Sequence, residues 1–122
     1  MVTASSIEND DNANFSASYA VDGNTSTRWS SYFSDPQWLA VDLGAVMSFS
    51  SIELNWEAAY GSSYQIETSD DGITWTTIYS TTTGDGGIDT ISVSGSGRYV
   101  RMYGTARGTA WGYSLWEFSI YA

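Results

Sequence analysis

From Gln37 onward the chain alternates apolar and polar positions with a period of two. Trp38, Ala40 and Asp42 interleave with Leu39, Val41 and Leu43 until Gly44 ends the run. Ile52, Leu54 and Trp56 share one face of the next segment, Phe49 to Glu57, and Tyr64, Ile66 and Thr68 share a face of the one after. Such alternation places successive side chains on opposite sides of a strand. Asp71-Gly72 predicts a hairpin turn into Thr74–Tyr79, because Gly accepts a positive φ and Asp bonds its own downstream backbone. Further strands are expected over Ile88–Val93, Arg98–Tyr103 and Ser114–Tyr121, with turns at Gly84–Gly87 and around Gly95 and Gly97. A long loop is expected from Gly104 to Tyr113. In the last strand Trp116, Phe118 and Ile120 share a face.

The N-terminal third reads differently. Val2–Asn14 is polar and irregular, predicting a short edge segment and a loop, and Ala17–Val21 suits a single helical turn. No stretch carries helical periodicity over a useful length. Short strands at roughly ten-residue spacing with Gly-rich turns predict one all-β domain over residues 1–122, an antiparallel β-sandwich. The single proline, Pro36, precedes a strand, where a missing N–H costs nothing.

Composition narrows the chemistry. The chain has no Cys and no His, which excludes disulfides and histidine-based zinc, acid–base and triad chemistry. Fourteen acids against four Arg give a formal charge of −10. Nucleic acid and anionic membranes are therefore not expected partners, since both require a basic footprint. A cationic or neutral partner suits this field, although acidity also serves plain solubility. Six Trp and nine Tyr exceed what a core of this size needs, so some rings are expected at the surface, where they can stack on a ligand.

One stretch, Ala20 to Trp38, concentrates small polar residues, acids and aromatics without alternation. Asp22, Asn24, Thr25, Ser26 and Thr27 bring many oxygens together, as a hard cation such as Ca²⁺ requires. By spacing alone an ordinary Asx-turn loop without metal is the favoured reading.

Ala20-Val21-Asp22-Gly23-Asn24, Thr27-Arg28-Trp29-Ser30-Ser31 and Gln37-Trp38-Leu39-Ala40-Val41-Asp42-Leu43-Gly44 resemble the discoidin-like family, also called the coagulation factor 5/8 type C domain. The likeness continues through Tyr64-Gln65-Ile66, Ser69-Asp70-Asp71-Gly72, Trp75, Arg98-Tyr99-Val100-Arg101 and Trp116-Glu117-Phe118. Within that family the chain is most similar to carbohydrate-binding module family 32. Asn55–Gly61, Gly84–Gly87 and Trp111-Gly112-Tyr113-Ser114 resemble modules attached to bacterial chitosanases and β-glucanases. The resemblance implies a jelly-roll sandwich with a structural Ca²⁺. Its ligands would be the carbonyls of Tyr19, Asn24 and Thr27, the Thr27 hydroxyl, the Asp22 carboxylate, the Trp116 carbonyl and the Glu117 carboxylate. The extended segment that usually precedes Thr3-Ala4-Ser5-Ser6 is short here.

The resemblance also implies a sugar site in the loops at one end of the sandwich. Sugars offer apolar C–H faces and polar edges, so exposed rings and charged hydrogen-bonding groups are the candidates. These are Glu8, Arg28, Tyr32, Glu57, Tyr60, Trp111 and Tyr113. Trp111 lies in a loop of small residues, which suits an exposed platform; Trp29, Trp38, Trp56, Trp75 and Trp116 are assigned to packing. Arg28 could equally pair with an acid. Galactose-binding relatives often use a His that this chain lacks. Converging Glu8 and Glu57 would suit an amino sugar, so chitosan or glucosamine oligomers come first and β-1,3-glucan second.

The expected protein is a non-catalytic, monomeric module of a secreted bacterial glycoside hydrolase, partnered by a polysaccharide and by the catalytic domain of its parent. Two other readings are open. Glu8 and Glu57 could be a glycosidase pair, but no cleft-forming insertion accompanies them. Phospholipid or cell-surface adhesion, as in animal discoidin relatives, would call for a terminal disulfide and apolar spikes beside basic residues, and neither is visible.

Overall fold

The computed structural model describes residues 1–122. Seven strands form it: β1 (Val2–Ala4), β2 (Trp29–Ser30), β3 (Gln37–Trp56), β4 (Gly61–Ser69), β5 (Thr76–Thr81), β6 (Ile88–Arg107) and β7 (Ser114–Tyr121). Between β1 and β2 lie only short helical turns, at Glu8–Asp10, Asn12–Phe15 and Ala17–Ala20. All pairings are antiparallel.

The two long strands make the sandwich. The first half of β3 pairs with β1 and with residues 99–104 of β6, which in turn pairs with β4 and then β5. Its second half pairs with β7 and with residues 88–92 of β6, and β7 carries β2 at its edge. One layer is thus β5-β4-β6-β3-β1 and the other β2-β7-β3-β6. The same two strands pass from one layer to the other through register breaks between Asp42 and Met47 and between Phe49 and Ser51. Bulges bend a strand without ending its ladder.

Gly44, Gly95 and Gly97, expected to separate strands, therefore mark bends within them. Gly44 holds a φ of +86°, and a side-chain carbon at Gly95 would come within 2.7 Å of the Phe49 ring. The loop expected from Gly104 likewise starts later, because β6 runs on to Arg107.

The inward faces of both layers fill one core, in which Trp29, Leu39, Ile52, Leu54, Ile66, Val100, Met102 and Leu115 are fully buried. Its aromatic members satisfy their polar ends. The Trp29 indole donates to the Ser6 carbonyl at 3.0 Å, and the Trp56 indole and Tyr64 hydroxyl both donate to Asp89 Oδ2, at 3.1 and 2.6 Å. In β7 the register slips between Asn55↔Glu117 and Trp56↔Leu115, so Leu115 takes the buried position and Trp116 is left half-exposed. All four arginines are paired, Arg28 with Glu57, Arg98 with Asp42, Arg101 with Glu67 and Arg107 with Asp35.

Candidate functional site

Four loops, between β1 and β2, β2 and β3, β3 and β4, and β6 and β7, converge at one end of the sandwich. Glu8 starts the first helical turn, whose next two residues, Asn9 and Asp10, hold positive φ values of 55° and 53°. Arg28 immediately precedes β2. Glu57 follows β3, and its Oε1 accepts from the Ala59 N–H at 3.0 Å, which fixes the turn into β4. Trp111 lies in the loop between β6 and β7.

These four residues, with Phe33, Ala58 and Ala59, line one open pocket of about 260 Å³. Trp111 is 59% exposed and meets Phe33 edge to face, ring centroids 5.6 Å apart at 82°. Glu8 Oε1 accepts from the Ser30 hydroxyl at 2.9 Å. Arg28 lies 3.9 Å from Glu57 Oε1, donates to the Ser114 hydroxyl at 2.7 Å and stacks over the Phe15 ring at 4.7 Å. Arg28 thus pairs with an acid and lines the pocket at once. Two carboxylates face one guanidinium, so the pocket carries net negative charge.

Three of the expected sugar contacts lie elsewhere. Tyr113, in the loop just before β7, is fully buried, and its ring fills the space left by Gly104 and Gly61. A side-chain carbon at Gly104 would stand 2.3 Å from that ring. Burial, with the Asp35 carboxylate beside it, pushes the Tyr113 hydroxyl well above the usual phenol range. Tyr60 is half-buried beneath the chain, its ring so close to Gly108 that a side-chain carbon there would meet it at 2.2 Å. Tyr32 is exposed at the rim and hydrogen-bonds Asp10, tying the loop after β2 to the Glu8–Asp10 turn.

Phe33 is the pocket-lining residue that sequence reasoning missed. It follows Tyr32 in the same non-alternating stretch and is 44% exposed, but an isolated Phe gives no sign of which loop it meets. Its carbonyl accepts from Arg107 Nη1 at 2.7 Å. Ser31 and Tyr113 hold the neighbouring loops together, Ser31 N–H to the Tyr113 carbonyl and Tyr113 N–H to the Ser31 hydroxyl, both at 2.9 Å. Gly112 is needed there, since a side-chain carbon would come within 2.5 Å of the Tyr32 carbonyl.

A second cluster joins the Asp22 loop to β7. Asp22 Oδ1 accepts from the Asn24 N–H at 2.9 Å, and Oδ2 accepts from the Thr27 hydroxyl at 2.5 Å. Desolvation alone would raise the Asp22 carboxyl, but the Thr27 and Asn24 donors hold it below its usual value. Glu117 Oε1 is buried with no hydrogen-bond partner, and burial, with Asp22 adjacent, pushes this carboxyl up to about 7. No third acid joins the two carboxylates. Tyr19 lies in the helical turn preceding the loop and Trp116 beside Glu117 in β7.

The F5/8 type C domain model matches residues 1–118. The chain belongs to that family. Among solved structures, this F5/8 type C domain is similar to chitosan-binding module 1 of a chitosanase/glucanase from Paenibacillus sp. IK-5, at 54% identity and a TM-score of 0.93, over 100% of this chain and 94% of that one. Chitosan-binding module 2 of the same enzyme, solved with chitotriose, superposes with a TM-score of 0.94 at 48% identity, over 100% and 95%. A Clostridium perfringens module, CpGH89CBM32-5, shares the fold at 20% identity and a TM-score of 0.89, over 100% and 94%. The chain is also 41% identical over 68 residues to the polysaccharide lyase 8 family protein HylA of Enterococcus faecalis, matching 56% of this chain and spanning only 5% of that protein's length.

Proposed function

We propose that this domain is a non-catalytic carbohydrate-binding module that holds chitosan or glucosamine oligosaccharides in the Glu8–Glu57–Trp111 pocket. The observation that carries this reading is the convergence of two carboxylates from distant loops beside an exposed Trp and Phe. The rings offer flat faces to the C–H surface of a pyranose. The carboxylates form charge-assisted hydrogen bonds to a sugar ammonium, and Arg28 holds Glu57 while donating toward hydroxyls. The domain's charge of −10 steers a polycation to this face. The likeness to modules named for chitosan binding supports the same assignment.

The pocket does nothing further to the sugar. Glu57 Oε1 is engaged by the Ala59 N–H, and the site is an open rim of about 260 Å³ rather than a closed cleft. On this reading the domain belongs to a secreted glycoside hydrolase and works as a monomer. No helix is long and apolar enough to cross a membrane.

The Asp22–Glu117 cluster suits calcium. A buried carboxylate oxygen without a partner beside a second carboxylate is an arrangement that a hard cation relieves. Asp22, Glu117 and the Thr27 hydroxyl would hold the ion with the carbonyls of Tyr19, Asn24, Thr27 and Trp116. Bound there, it would supply positive charge that fastens the loop bearing Arg28 to β7.

Calorimetric titration of the domain with chitotriose tests the sugar assignment. Binding that weakens as salt is added, and again as pH rises past the titration of the sugar amine, is the expected result. Affinity indifferent to salt and pH, or no binding, overturns it.

A further inference from the structure

The outer face of the β5-β4-β6-β3-β1 layer carries rings where an uncovered sheet face normally carries small polar residues. Trp38 sits opposite Tyr103, Ala40 opposite both Thr3 and Arg101, and Asp42 opposite Tyr99, so alternation puts all of them on one face. The inward neighbours Leu39, Val100 and Met102 are core.

The Ala40 row leaves a gap. Trp38 and the Asp42–Tyr99 row are four residues apart, about 13 Å at the rise of a strand. Between them runs a trough of about 310 Å³, with Trp38 on one side, Trp75 and Tyr99 on the other, and Ala40 and Thr3 along its bottom. Trp75 and Tyr99 meet edge to face at 6.5 Å. Arg101 is stacked over Trp75 at 4.0 Å and over Tyr103 at 4.7 Å, and spends its Nε on Glu67 at 2.6 Å, leaving its Nη donors without a protein acceptor. Asp71 stands at the end of the trough. Its Oδ1 already receives the Ser69 hydroxyl and the Ile73 and Thr74 N–H groups, while Oδ2 has no protein donor.

A cross-strand ladder of Arg and aromatic residues accounts for Arg101, Trp75 and Tyr103 as stabilising pairs. It does not account for Trp38, which stacks on none of these rings, nor for the small floor that keeps the walls apart. Ring walls, free guanidinium donors and a free carboxylate oxygen form the set that a pyranose needs. Charge separates this trough from the loop pocket. Arg101 is neutralised by Glu67 and Arg98 by Asp42, so a sugar ammonium gains little here, whereas Glu8 and Glu57 face one Arg28.

We propose that the trough is a second glycan site, sharing no residue with the loop pocket and taking a neutral β-linked glucan segment. The equatorial substituents of β-linked glucose leave flat C–H faces for Trp38 and Trp75, and its hydroxyls accept from Arg101 and donate to Asp71. A polysaccharide or composite wall carrying both neutral and amino sugars would then engage the domain at two places, and linked binding multiplies affinity where the geometry lets both sites engage.

The test is titration of the ¹⁵N-labelled full chain with laminarihexaose, following the six Trp indole N–H signals assigned through single Trp→Phe variants. The expected result is that the Trp38 and Trp75 signals move while Trp111 does not, and that Glu57→Gln leaves the response unchanged. Trp75→Ala should lower affinity at least tenfold. Thr3→Trp, at an exposed strand position, fills the trough without touching the core and should do the same in a domain that melts like the parent. Movement of Trp111 alone, no movement at all, or parental affinity in Thr3→Trp overturns the proposal. Chitotriose binding at Trp111 is read independently in the same spectra, so either site can fail without the other.

Discussion

The Tyr113 hydroxyl donates to Asp35 across 2.5 Å, and the other oxygen of that carboxylate receives Arg107 Nε at 3.0 Å. Arg107 also holds the Phe33 carbonyl. A buried core ring thereby fixes the loop that stands Phe33 against Trp111. Tyr113→Phe keeps the packing and removes one hydrogen bond to a charged acceptor, so stability should fall by about 1.5–3 kcal/mol in urea unfolding. Chitotriose affinity should weaken a few-fold although Tyr113 is out of the ligand's reach. Unchanged affinity would mean that the loop is held by other contacts.

Trp111→Ala should separate binding from folding. The ring is exposed and buries little on folding, so stability should move by no more than about 0.5 kcal/mol. Loss of the platform should lower chitotriose affinity roughly tenfold or more, about 1.4 kcal/mol. Phe33→Ala should follow with a smaller loss, because Phe33 also props Trp111.

Glu8→Gln and Glu57→Gln should each weaken binding of a charged amino-sugar oligomer and flatten its salt dependence, since each removes one charge from the pocket. Glu57→Gln should also disturb Arg28, its partner at 3.9 Å. Fully N-acetylated oligomers, which lack the ammonium, should not distinguish these variants from the parent. Isothermal titration at two salt concentrations reads both effects.

Calcium should raise the melting temperature and a chelator should lower it. At a hundredfold excess over its dissociation constant the ion should contribute about 2.7 kcal/mol. Glu117→Gln should abolish the response, whereas Asp85→Asn, in the exposed β5–β6 loop, should retain it. A melting temperature indifferent to calcium in the parent domain removes the metal from the account.

Acid sensitivity should have a component at Asp42. Hydrogen bonds from Arg98, and then from the Gly44 N–H, pull this carboxyl from 3.8 down to about 2. The group therefore binds fewer protons folded than unfolded over that interval. Its stabilisation is complete above about pH 4 and is lost as pH falls through about 2. In Arg98→Met the acid limb of the stability curve should flatten between those values, as read by urea midpoints at stepped pH.

Much of this domain was legible in the chain because strand alternation, Gly-marked turns and loop chemistry are local properties. Ser114–Tyr121 is a strand over the span that its alternation indicates, and Ala17–Ala20 is the short helical turn expected there. The division into strands was less legible. At Gly44, Gly95 and Gly97 a turn and a bulge make the same local demand on the backbone, and only pairing of β3 with β6 on both sides of each break keeps the strand whole. The same limit applied to the aromatic residues. Trp111 and Tyr113 stand two positions apart in one loop, yet one is 59% exposed and the other is sealed beneath Gly104.

The sequence by itself determined the all-strand class, the acidic field, the absence of histidine and thiol chemistry, and the set of loop residues able to meet a sugar. Those follow from residue type and from a period of two, which any segment carries within itself. Tertiary structure decided which of those residues meet. Glu8, Arg28, Phe33, Glu57 and Trp111 come together because bends in β3 and β6 fold one ladder into two layers, bringing their loops to the same end. Which face of a ring points to water is settled by what packs behind it, and that neighbour lies tens of residues away in the chain.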